Sequence, residues 1–343
     1  MGLYIAIWIA LLVLATARRE HRLLLWTVVV GMSLLAGLRD LSIGVDTRPY
    51  HEAFTIAQDG RMPPMEPGWG LLNIAVARLG GNFNLLLWIV SITTLGLVTR
   101  VATKDSPNPR FSLFIYYSMY AYLNSFNGMR QFLAISIVLW GFHLLYRNKV
   151  WKFLSAIGMA MTIHLSSIIG FAALITRKIP LKPWILYTSI SFSLLTGLFI
   201  IKDTWLIPLL GPYGVYLQGD NFSVRESLSS AVIMALLMNC LLLFLYHTAP
   251  VSFRDNFWLK LFWMGILVTN TSLQLVLGTR MILYFTITQV ILFPQYLSAK
   301  QRDIPLVSTL LILYLLLIFL KILILGNDGQ EGSIYPYKSV LSA

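Results

Sequence analysis

Long apolar segments recur along the whole chain, and they constrain its fold more than any other feature. Two examples are Ala231 to Tyr246 and Leu306 to Leu320, and each approaches the roughly 20 apolar residues that a helix needs to cross a bilayer. Only 12% of the residues are charged, against about 25% in soluble domains. The sequence therefore predicts an all-α polytopic membrane protein and excludes a soluble enzyme, a single-anchor protein and a disordered chain.

The apolar pattern predicts about twelve transmembrane helices, with a short apolar piece at 67–80 that dips into the bilayer and returns. The predicted spans are 3–17, 23–38, 83–103, 111–124, 130–146, 150–163, 165–177, 183–202, 226–247, 257–270, 279–298 and 305–325. The basic cluster follows the first span, so we expect a retained span and not a cleaved signal peptide. The expected organisation is one membrane domain, 1–343, with outer loops at 39–66 and 203–225 and an outer tail at 326–343.

The net charge of +12 is distributed unevenly over the predicted topology. Sixteen of the 26 Lys and Arg residues, but only four of the 14 Asp and Glu residues, fall in the predicted cytoplasmic turns. The outer side keeps ten of each, so the whole excess lies on one face, as the positive-inside rule expects. The lipid bilayer is therefore the expected partner of this charge, and nucleic acid is not.

Two stretches admit more than one topology. Residues 67–103 must cross once, although Gly80, Gly81 and Asn82 separate two apolar pieces. Residues 150–177 cross either once or twice, and two crossings give the stronger charge bias, so we expect two short helices that meet near His164. Non-helical backbone at that depth is tolerated only where protein or water satisfies it. A break there indicates a cavity.

Cytoplasmic anchoring does not explain three arginines, Arg39, Arg130 and Arg280. Each lies at the outer end of a predicted span, with a glycine two positions before it that permits close backbone approach. An Arg in the bilayer core costs about 2.5–3.5 kcal/mol on insertion scales. Because the guanidinium fork binds phosphate through two hydrogen bonds, convergence of the three predicts an anion site. The alternative, that each arginine pairs with an acid or reaches the headgroups, stays open.

Acid–base candidates occur in the first outer loop and at the predicted break. The loop contains Asp46, His51 and Glu52, and the break contains His164. The chain has no Asp-x-Asp pair and no His spacing typical of zinc, so we expect no metal and no other cofactor. Cys240 is the only cysteine; it permits no internal disulfide, and we expect it to be a packing residue.

Five pieces of the sequence, taken together, are similar to a known family. They are Gly37-Leu-Arg39 with Gly44-x-Asp46 and Tyr50; Asn127-x-x-Arg130-Gln131; His164-Leu-Ser166-Ser167; Arg280-x-x-x-Tyr284-Phe285; and Tyr335-Pro336-Tyr337-Lys338. In this order the set resembles the EpsG-like, Wzy-type polymerases of bacterial surface polysaccharides, over about residues 37 to 338. The departures are Ser339, where such tails usually turn apolar, and the loop 203–225, which has no match.

The resemblance implies a GT-C-like membrane glycosyltransferase with re-entrant or broken helices, active at the periplasmic face of the bacterial inner membrane. Such an enzyme transfers a growing glycan from undecaprenyl diphosphate onto the next lipid-linked repeat unit, with a flippase and a chain-length regulator as further partners. Two rival functions stay open, an O-antigen ligase-like glycosyltransferase and a lipid-linked oligosaccharide flippase; a membrane O-acyltransferase fits the arginines less well.

The implied site has three groups of residues. We expect the diphosphates to contact Arg39, Arg130 and Arg280, and we expect Asp46 or His164 to act as the base. Further contacts with the glycan or between loops are expected from Tyr50, Glu52, Gln131, Tyr284 and Tyr337.

Overall fold

The computed structural model describes residues 1–17, 22–200, 228–275, 278–300, 304–325 and 334–341. The predicted outer loop 203–225, the start of the predicted tail and three residues of the predicted cytoplasmic turns, Arg18, Arg19 and Arg302, lie outside these ranges. Within them the chain is mostly helical, and its β features are isolated bridges, one of which joins Arg39 and Ser339. The prediction of an all-α protein is confirmed.

The described residues form a series of helices. In chain order they are α1 (Gly2–Thr16), α2 (Arg22–Gly37), α3 (Thr47–Gln58), α4 (Pro67–Arg78), α5 (Phe83–Asp105), α6 (Pro109–Ser118), α7 (Ala121–Asn124), α8 (Met129–Tyr146), α9 (Val150–Ile163), α10 (Ala172–Thr176), α11 (Pro183–Leu195), α12 (Leu228–Thr248), α13 (Phe257–Thr271), α14 (Gly278–Thr286), α15 (Gln289–Ala299) and α16 (Ile304–Leu325). A 3₁₀ segment, Leu165–Phe171, precedes α10, and a π-helical turn, Thr196–Ile200, extends α11.

Five stretches of helix are long and apolar enough to cross a membrane: Phe83–Asp105, Met129–Tyr146, Ala231–Thr248, Arg280–Ala299 and Ile304–Lys321. Further apolar helices of 10–17 residues are Gly2–Thr16, Arg22–Gly37, Val150–Ile163, Leu165–Thr176 and Pro183–Phe199. The chain is therefore a helical, multi-pass membrane protein. Twelve crossings and a GT-C-like arrangement stay predictions, because many of the apolar helices are shorter than a full span.

Helices α8 and α16 show two ways in which an apolar helix is accommodated. In α8, 83% of the most apolar window is buried inside the protein, whereas the corresponding share in α16 is 22%. The exposed face of α16 carries Leu306, Leu313 and Leu317. A helix that is apolar on all sides needs either protein or lipid around it, so α8 is a core helix and α16 presents apolar side chains to lipid.

Residues Met1–Ile168 and Phe293–Ala343 form one compact unit. In it α5 packs on α2 and α8, α8 packs on α9, α3 packs on α4, and α4 contacts α9. Gly37 lets α2 approach α5, because a Cβ atom at this position would lie 2.7 Å from the Cβ of Trp88. This unit contains most of the predicted site residues.

Both helix breaks that the sequence predicts in this unit are present. Helix α4 ends before Gly80, which adopts the left-handed conformation at φ +75°. The side chain of Asn82 then accepts a 2.9 Å hydrogen bond from the backbone N–H of Leu85 and so caps α5. Helix α9 ends at Ile163, and His164 has extended backbone angles before the 3₁₀ segment begins.

Helix α3 lies inside the segment 39–66, which the sequence predicts to be an outer loop. It buries Tyr50, Ala53, Phe54 and Ala57, which recur at intervals of three and four residues and form one face of a helix. The helix is amphipathic: one face is apolar and most of the remaining residues are polar. Because the polar residues dominate the composition, the segment resembles a loop in the sequence.

Residues Ile169–Leu292 form the second compact unit, in which α13 packs on α11, α12 and α14. Three buried polar side chains meet in this unit. Asn239 Nδ2 donates to Asn270 Oδ1 at 2.7 Å, and Asn270 Nδ2 donates to Ser193 Oγ at 3.0 Å. Their mutual hydrogen bonds satisfy groups that are costly to bury alone.

Cys240 belongs to the same unit, and the prediction that it is a packing residue is wrong. Its side chain is exposed. It follows the exposed residues Ile233, Leu236 and Leu237 at helical spacing on α12, so these residues share one outward face.

Candidate functional site

The loop after α2 folds against the segment that precedes α8. The backbone N–H of Val45 donates to Asn127 Oδ1 at 2.9 Å. Gly44 has φ +91°, and a Cβ atom there would lie 2.7 Å from the carbonyl oxygen of Phe126. Only glycine fits both the conformation and the space. The first two of the five sequence pieces are therefore in direct contact.

Arg39 lies beneath this contact and is 2% exposed. Its Nη1 donates to the carbonyl of Ala36 at 2.7 Å, and its Nη2 donates to the carbonyl of Phe126 at 3.3 Å. The guanidinium carbon lies 5.1 Å from the centroid of the Phe126 ring. Burial lowers the pKa of Arg39 to about 10, so the side chain keeps its positive charge at neutral pH.

No carboxylate among the described residues pairs with Arg39. Its Nε is buried and has no hydrogen-bond partner in the described part of the chain. A small cavity opens beside the side chain, and its polar lining comes from Ser91, Thr94 and Ser125. Arg39 is thus a buried cation whose Nε has no hydrogen-bond partner among the described residues and which lies beside a small cavity.

The C-terminal segment 334–341 covers the same region. The backbone N–H of Asp40 donates to the carbonyl of Lys338 at 3.0 Å, and the hydroxyl of Tyr337 donates to the carbonyl of Leu35 at 2.7 Å. Ser339, the departure from the family pattern, donates through its hydroxyl to the carbonyl of Leu38 at 3.1 Å. The C-terminal sequence piece is therefore attached to the first one.

Arg130 is the second residue of α8 and forms an ion pair with Glu66. Its guanidinium carbon lies 5.7 Å from the centroid of the Tyr50 ring, and that ring packs against Trp69 with a centroid distance of 5.6 Å. The Arg130 and Glu66 side chains are 20% and 21% exposed. Arg130 therefore pairs with an acid, and its contact with a diphosphate stays a prediction.

Glu66 also reaches His164, from the third sequence piece. Its Oε1 lies 3.1 Å from His164 Nδ1 and accepts a 3.2 Å hydrogen bond from the backbone N–H of Leu165. Burial alone raises the pKa of the Glu66 carboxyl, but the hydrogen bond with His164 and the charge of Arg130 lower it to about 2. The carboxylate is therefore ionised at neutral pH and joins a guanidinium group to an imidazole.

Glu66 reaches His164 because α4 begins close to the end of α9. Glu66 immediately precedes α4, with Pro67 at the first helical position, where its fixed φ suits the helix. A Cβ atom at Gly68 would lie 2.3 Å from Thr162 Oγ1. The absence of a side chain at Gly68 therefore lets the two helix ends meet.

Sequence reasoning missed Glu66. The one feature of the sequence that marks Glu66 is its position directly before Pro67 and Gly68, at the start of the apolar piece 67–80 that is predicted to enter the bilayer and return. That signal indicates the end of an outer loop, where an acid needs no special explanation. The partner His164 is 98 residues away in sequence, and only the fold brings them together.

The glycines before the three arginines differ in role. Gly37 is required for close approach, as described above. Gly128 is not: the nearest atom to a Cβ placed there is 3.7 Å away, which is an ordinary contact distance, so the prediction of a close backbone approach at this position is wrong. For Gly278 the structure does not describe the surroundings, so the prediction is not tested there.

The other predicted site residues have varied surroundings. Asp46 is half-buried at the N-terminus of α3, and Glu52 is exposed on the same helix. Gln131 is buried beside Arg130 in sequence. Arg280 is exposed and Tyr284 is fully buried on α14, in the second unit. Convergence of Arg280 with Arg39 and Arg130 stays a prediction.

No group of three or more His, Cys, Asp and Glu side chains that could hold a metal ion occurs among the described residues. In the described part of the chain, the charges of Arg130 and Glu66 balance each other. Arg39 is a separate, buried positive charge that pairs with none of the described carboxylates.

A family model described as the EpsG family matches residues 22–339, which is nearly the whole chain. No curated protein and no solved structure matches the chain.

Proposed function

Since the chain belongs to the EpsG family, we propose that it is a glycosyltransferase that polymerises a bacterial surface polysaccharide. Its substrates are glycans carried on undecaprenyl diphosphate. It moves the growing glycan from its lipid carrier onto the next lipid-linked repeat unit. The observation that carries this proposal is the cluster of Arg130, Glu66 and His164, which joins a cation, a carboxylate and an imidazole at one partly exposed point.

In the proposed reaction, a hydroxyl oxygen of the acceptor unit attacks the anomeric carbon of the donor glycan. The bond from that carbon to the diphosphate oxygen breaks, and undecaprenyl diphosphate leaves with the bonding electrons. The hydroxyl proton passes to a base of the protein. Such a site needs positive charge near the leaving oxygens, and preorganised guanidinium groups are most effective where water is excluded.

We assign the diphosphates to Arg39, Arg130 and Arg280. The side chain of Arg130 is 20% exposed, so it reaches a diphosphate directly and exchanges part of its contact with Glu66. Arg39 is buried and acts through its charge, which no carboxylate among the described residues neutralises and which water screens little. Arg280 is exposed on α14 and is the third proposed ligand. With this positive charge in place, the reaction needs no metal ion.

Two side chains are candidates for the base. His164 is linked to Arg130 through Glu66, so a proton acceptor and a proposed diphosphate ligand share one carboxylate. Asp46 immediately precedes α3, the helix that carries Tyr50 against Arg130. Either group satisfies the requirement for a positioned carboxylate or imidazole.

Of the five residues expected to contact the glycan or to hold loops, Glu52 has an exposed side chain, so we propose that it contacts the glycan. Tyr50, Gln131 and Tyr284 are buried, and Tyr337 holds the C-terminal segment to Leu35. We propose that these four shape the site by fixing its loops and helices.

The proposal places the cluster at the periplasmic face of the inner membrane, in a chain that crosses the bilayer twelve times. The excess of Lys and Arg in the opposite turns supports this orientation. A flippase that delivers lipid-linked units and a regulator of chain length are the proposed protein partners.

A strain that lacks the gene tests the function in cells. We expect it to export single repeat units but no long chains, because delivery of a unit across the membrane precedes its polymerisation. Accumulation of units on the cytoplasmic leaflet would instead identify a flippase. Long chains that stay on undecaprenyl diphosphate and never reach a final acceptor would identify a ligase.

A further inference from the structure

His164 has one ring nitrogen bound to the protein and one directed elsewhere. Its Nδ1 lies 3.1 Å from Glu66 Oε1. Its Nε2 makes no hydrogen bond to the described residues, while the backbone N–H and carbonyl of His164 are both paired, with Ala160 and Ser167. The side chain is 16% exposed. The imidazole is thus held on one side and open on the other.

The contact with Glu66 decides which nitrogen of the neutral imidazole carries the proton. Glu66 Oε1 already accepts the backbone N–H of Leu165, and a carboxylate oxygen can only accept. Nδ1 must therefore donate to it, which leaves Nε2 with the lone pair. The other carboxylate oxygen is occupied by Arg130, and this ion pair keeps Glu66 in place.

The backbone also fixes this arrangement. Glu66 is placed by the start of α4, and the close approach at Gly68 brings it to the end of α9. His164 sits where α9 stops, in extended conformation. Because the packing of these two helix ends places both side chains, the imidazole has one preferred orientation.

We propose that Glu66 is the positioning residue that holds His164 as its Nδ1–H tautomer, so that His164 Nε2 takes the proton from the acceptor hydroxyl. This inference rests on the proposed function, and it selects His164 over Asp46 as the base. As Nε2 accepts the proton, the imidazole becomes a cation, and the carboxylate of Glu66 stabilises that cation at Nδ1.

The kinetic test uses the purified full chain and defined lipid-linked repeat units. We expect His164→Ala to lower kcat by about 100-fold or more. Glu66→Gln, which keeps the size but not the charge, is expected to lower kcat by about 10- to 100-fold without raising KM, because Arg130 stays available to the diphosphate. Glu66→Gln added to His164→Ala is expected to cause no further loss, because a residue that acts through another has no effect once that other is gone.

The same measurements include results that overturn the inference. A further loss in the double variant equal to the loss from Glu66→Gln alone would show that Glu66 acts through Arg130 and not through His164. Full activity of His164→Ala with loss in Asp46→Asn would make Asp46 the base. If the wild-type protein itself forms no product, the proposed function fails and not only this inference.

A second measurement does not depend on activity. The ¹⁵N chemical shifts of labelled histidine report which ring nitrogen is protonated, and the signal that disappears in His164→Gln identifies His164 among the five histidines. We expect an Nδ1–H signal in the wild-type protein and a shift toward Nε2–H in Glu66→Gln. An Nε2–H signal in the folded wild-type protein would overturn the inference.

Discussion

Glu66 contacts Arg130 and His164, two side chains that the sequence identifies as candidates for the site. One of its oxygens pairs with Arg130, and the other faces His164 Nδ1 and the backbone N–H of Leu165. Arg130 is therefore already paired with a carboxylate before any substrate binds. A diphosphate that draws Arg130 away leaves the carboxylate to His164, so we expect donor binding and base strength to be coupled through Glu66.

This ion pair makes stability depend on pH in the acid range. The pKa of Glu66 falls from its ordinary value of 4.5 to about 2 in the folded protein, so its contribution is complete above about pH 4.5 and is lost as pH falls toward 2. Over this interval we expect the wild-type protein to lose more unfolding free energy than Glu66→Gln. Denaturant unfolding in detergent at several pH values measures both; parallel curves would contradict the expectation.

Replacement of Arg39 by lysine tests the buried cation. Lysine keeps the charge but has a single ammonium group, which cannot bridge the carbonyls of Ala36 and Phe126 and so does not hold the charge at the same point. We expect long-chain polysaccharide to fall by about 100-fold at normal protein level. The control is Arg61→Lys, since Arg61 is exposed and pairs with Asp59 two residues away. Long chains in Arg39→Lys cells equal to those of the control would argue against a role for Arg39.

At the scale of single residues, the sequence identifies side chains whose free-energy cost can be seen from their immediate neighbours in the chain. Arg39, Arg130 and His164 stand out because charged and polar side chains are expensive beside apolar sequence. Glu66 does not stand out, since an acid at the end of an outer loop costs little. Its importance arises from contacts with residues 64 and 98 positions away, and these depend on how four helices pack.

At the scale of helices, the predictable features are those with local causes. Gly80 and Asn82 end one helix and cap the next, and both residue types have known preferences for these positions. Helix α3 was less evident, because its apolar face consists of four side chains in an otherwise polar stretch. The close contact of α4 with α9 at Gly68 has no local signal at all.

Gly68→Ala tests that contact. An added methyl group meets Thr162 and moves α4 away from α9, so we expect a loss of about 1–3 kcal/mol in unfolding free energy and at least a tenfold loss of chain extension. Gly158→Ala is the matched control in α9, because no atom lies within 4 Å of its added Cβ. We expect that variant to be more stable by about 0.5–1 kcal/mol. Equal thermal unfolding temperatures for the two variants would refute the importance of the contact.

For the whole molecule, the charge distribution predicts which loops face outward. In a chain whose Cys240 is replaced by serine, Arg61→Cys and Lys149→Cys place single thiols at exposed positions on opposite predicted sides. We expect a membrane-impermeant maleimide to label position 61 in intact spheroplasts and position 149 only after the membrane is opened. The reverse pattern would invert the topology and place the Glu66 cluster on the cytoplasmic face.

The number of membrane crossings is a property of the whole molecule that the composition of the chain does not determine. Apolar runs show that a helix exists, but a helix of 14 to 16 residues such as α9 or α2 is shorter than a full span. Whether it crosses depends on its tilt and neighbours, which the residues of that helix alone do not specify. The family match supplies a function class at this scale, and the residue contacts supply the site.

The central claim is that this chain alone joins lipid-linked repeat units into longer glycans. Its most direct test is incubation of the purified protein with undecaprenyl-diphosphate-linked repeat units and separation of the products on a gel. We expect a ladder whose steps each equal one repeat unit. Recovery of single units only, from a folded protein in lipid, would contradict it.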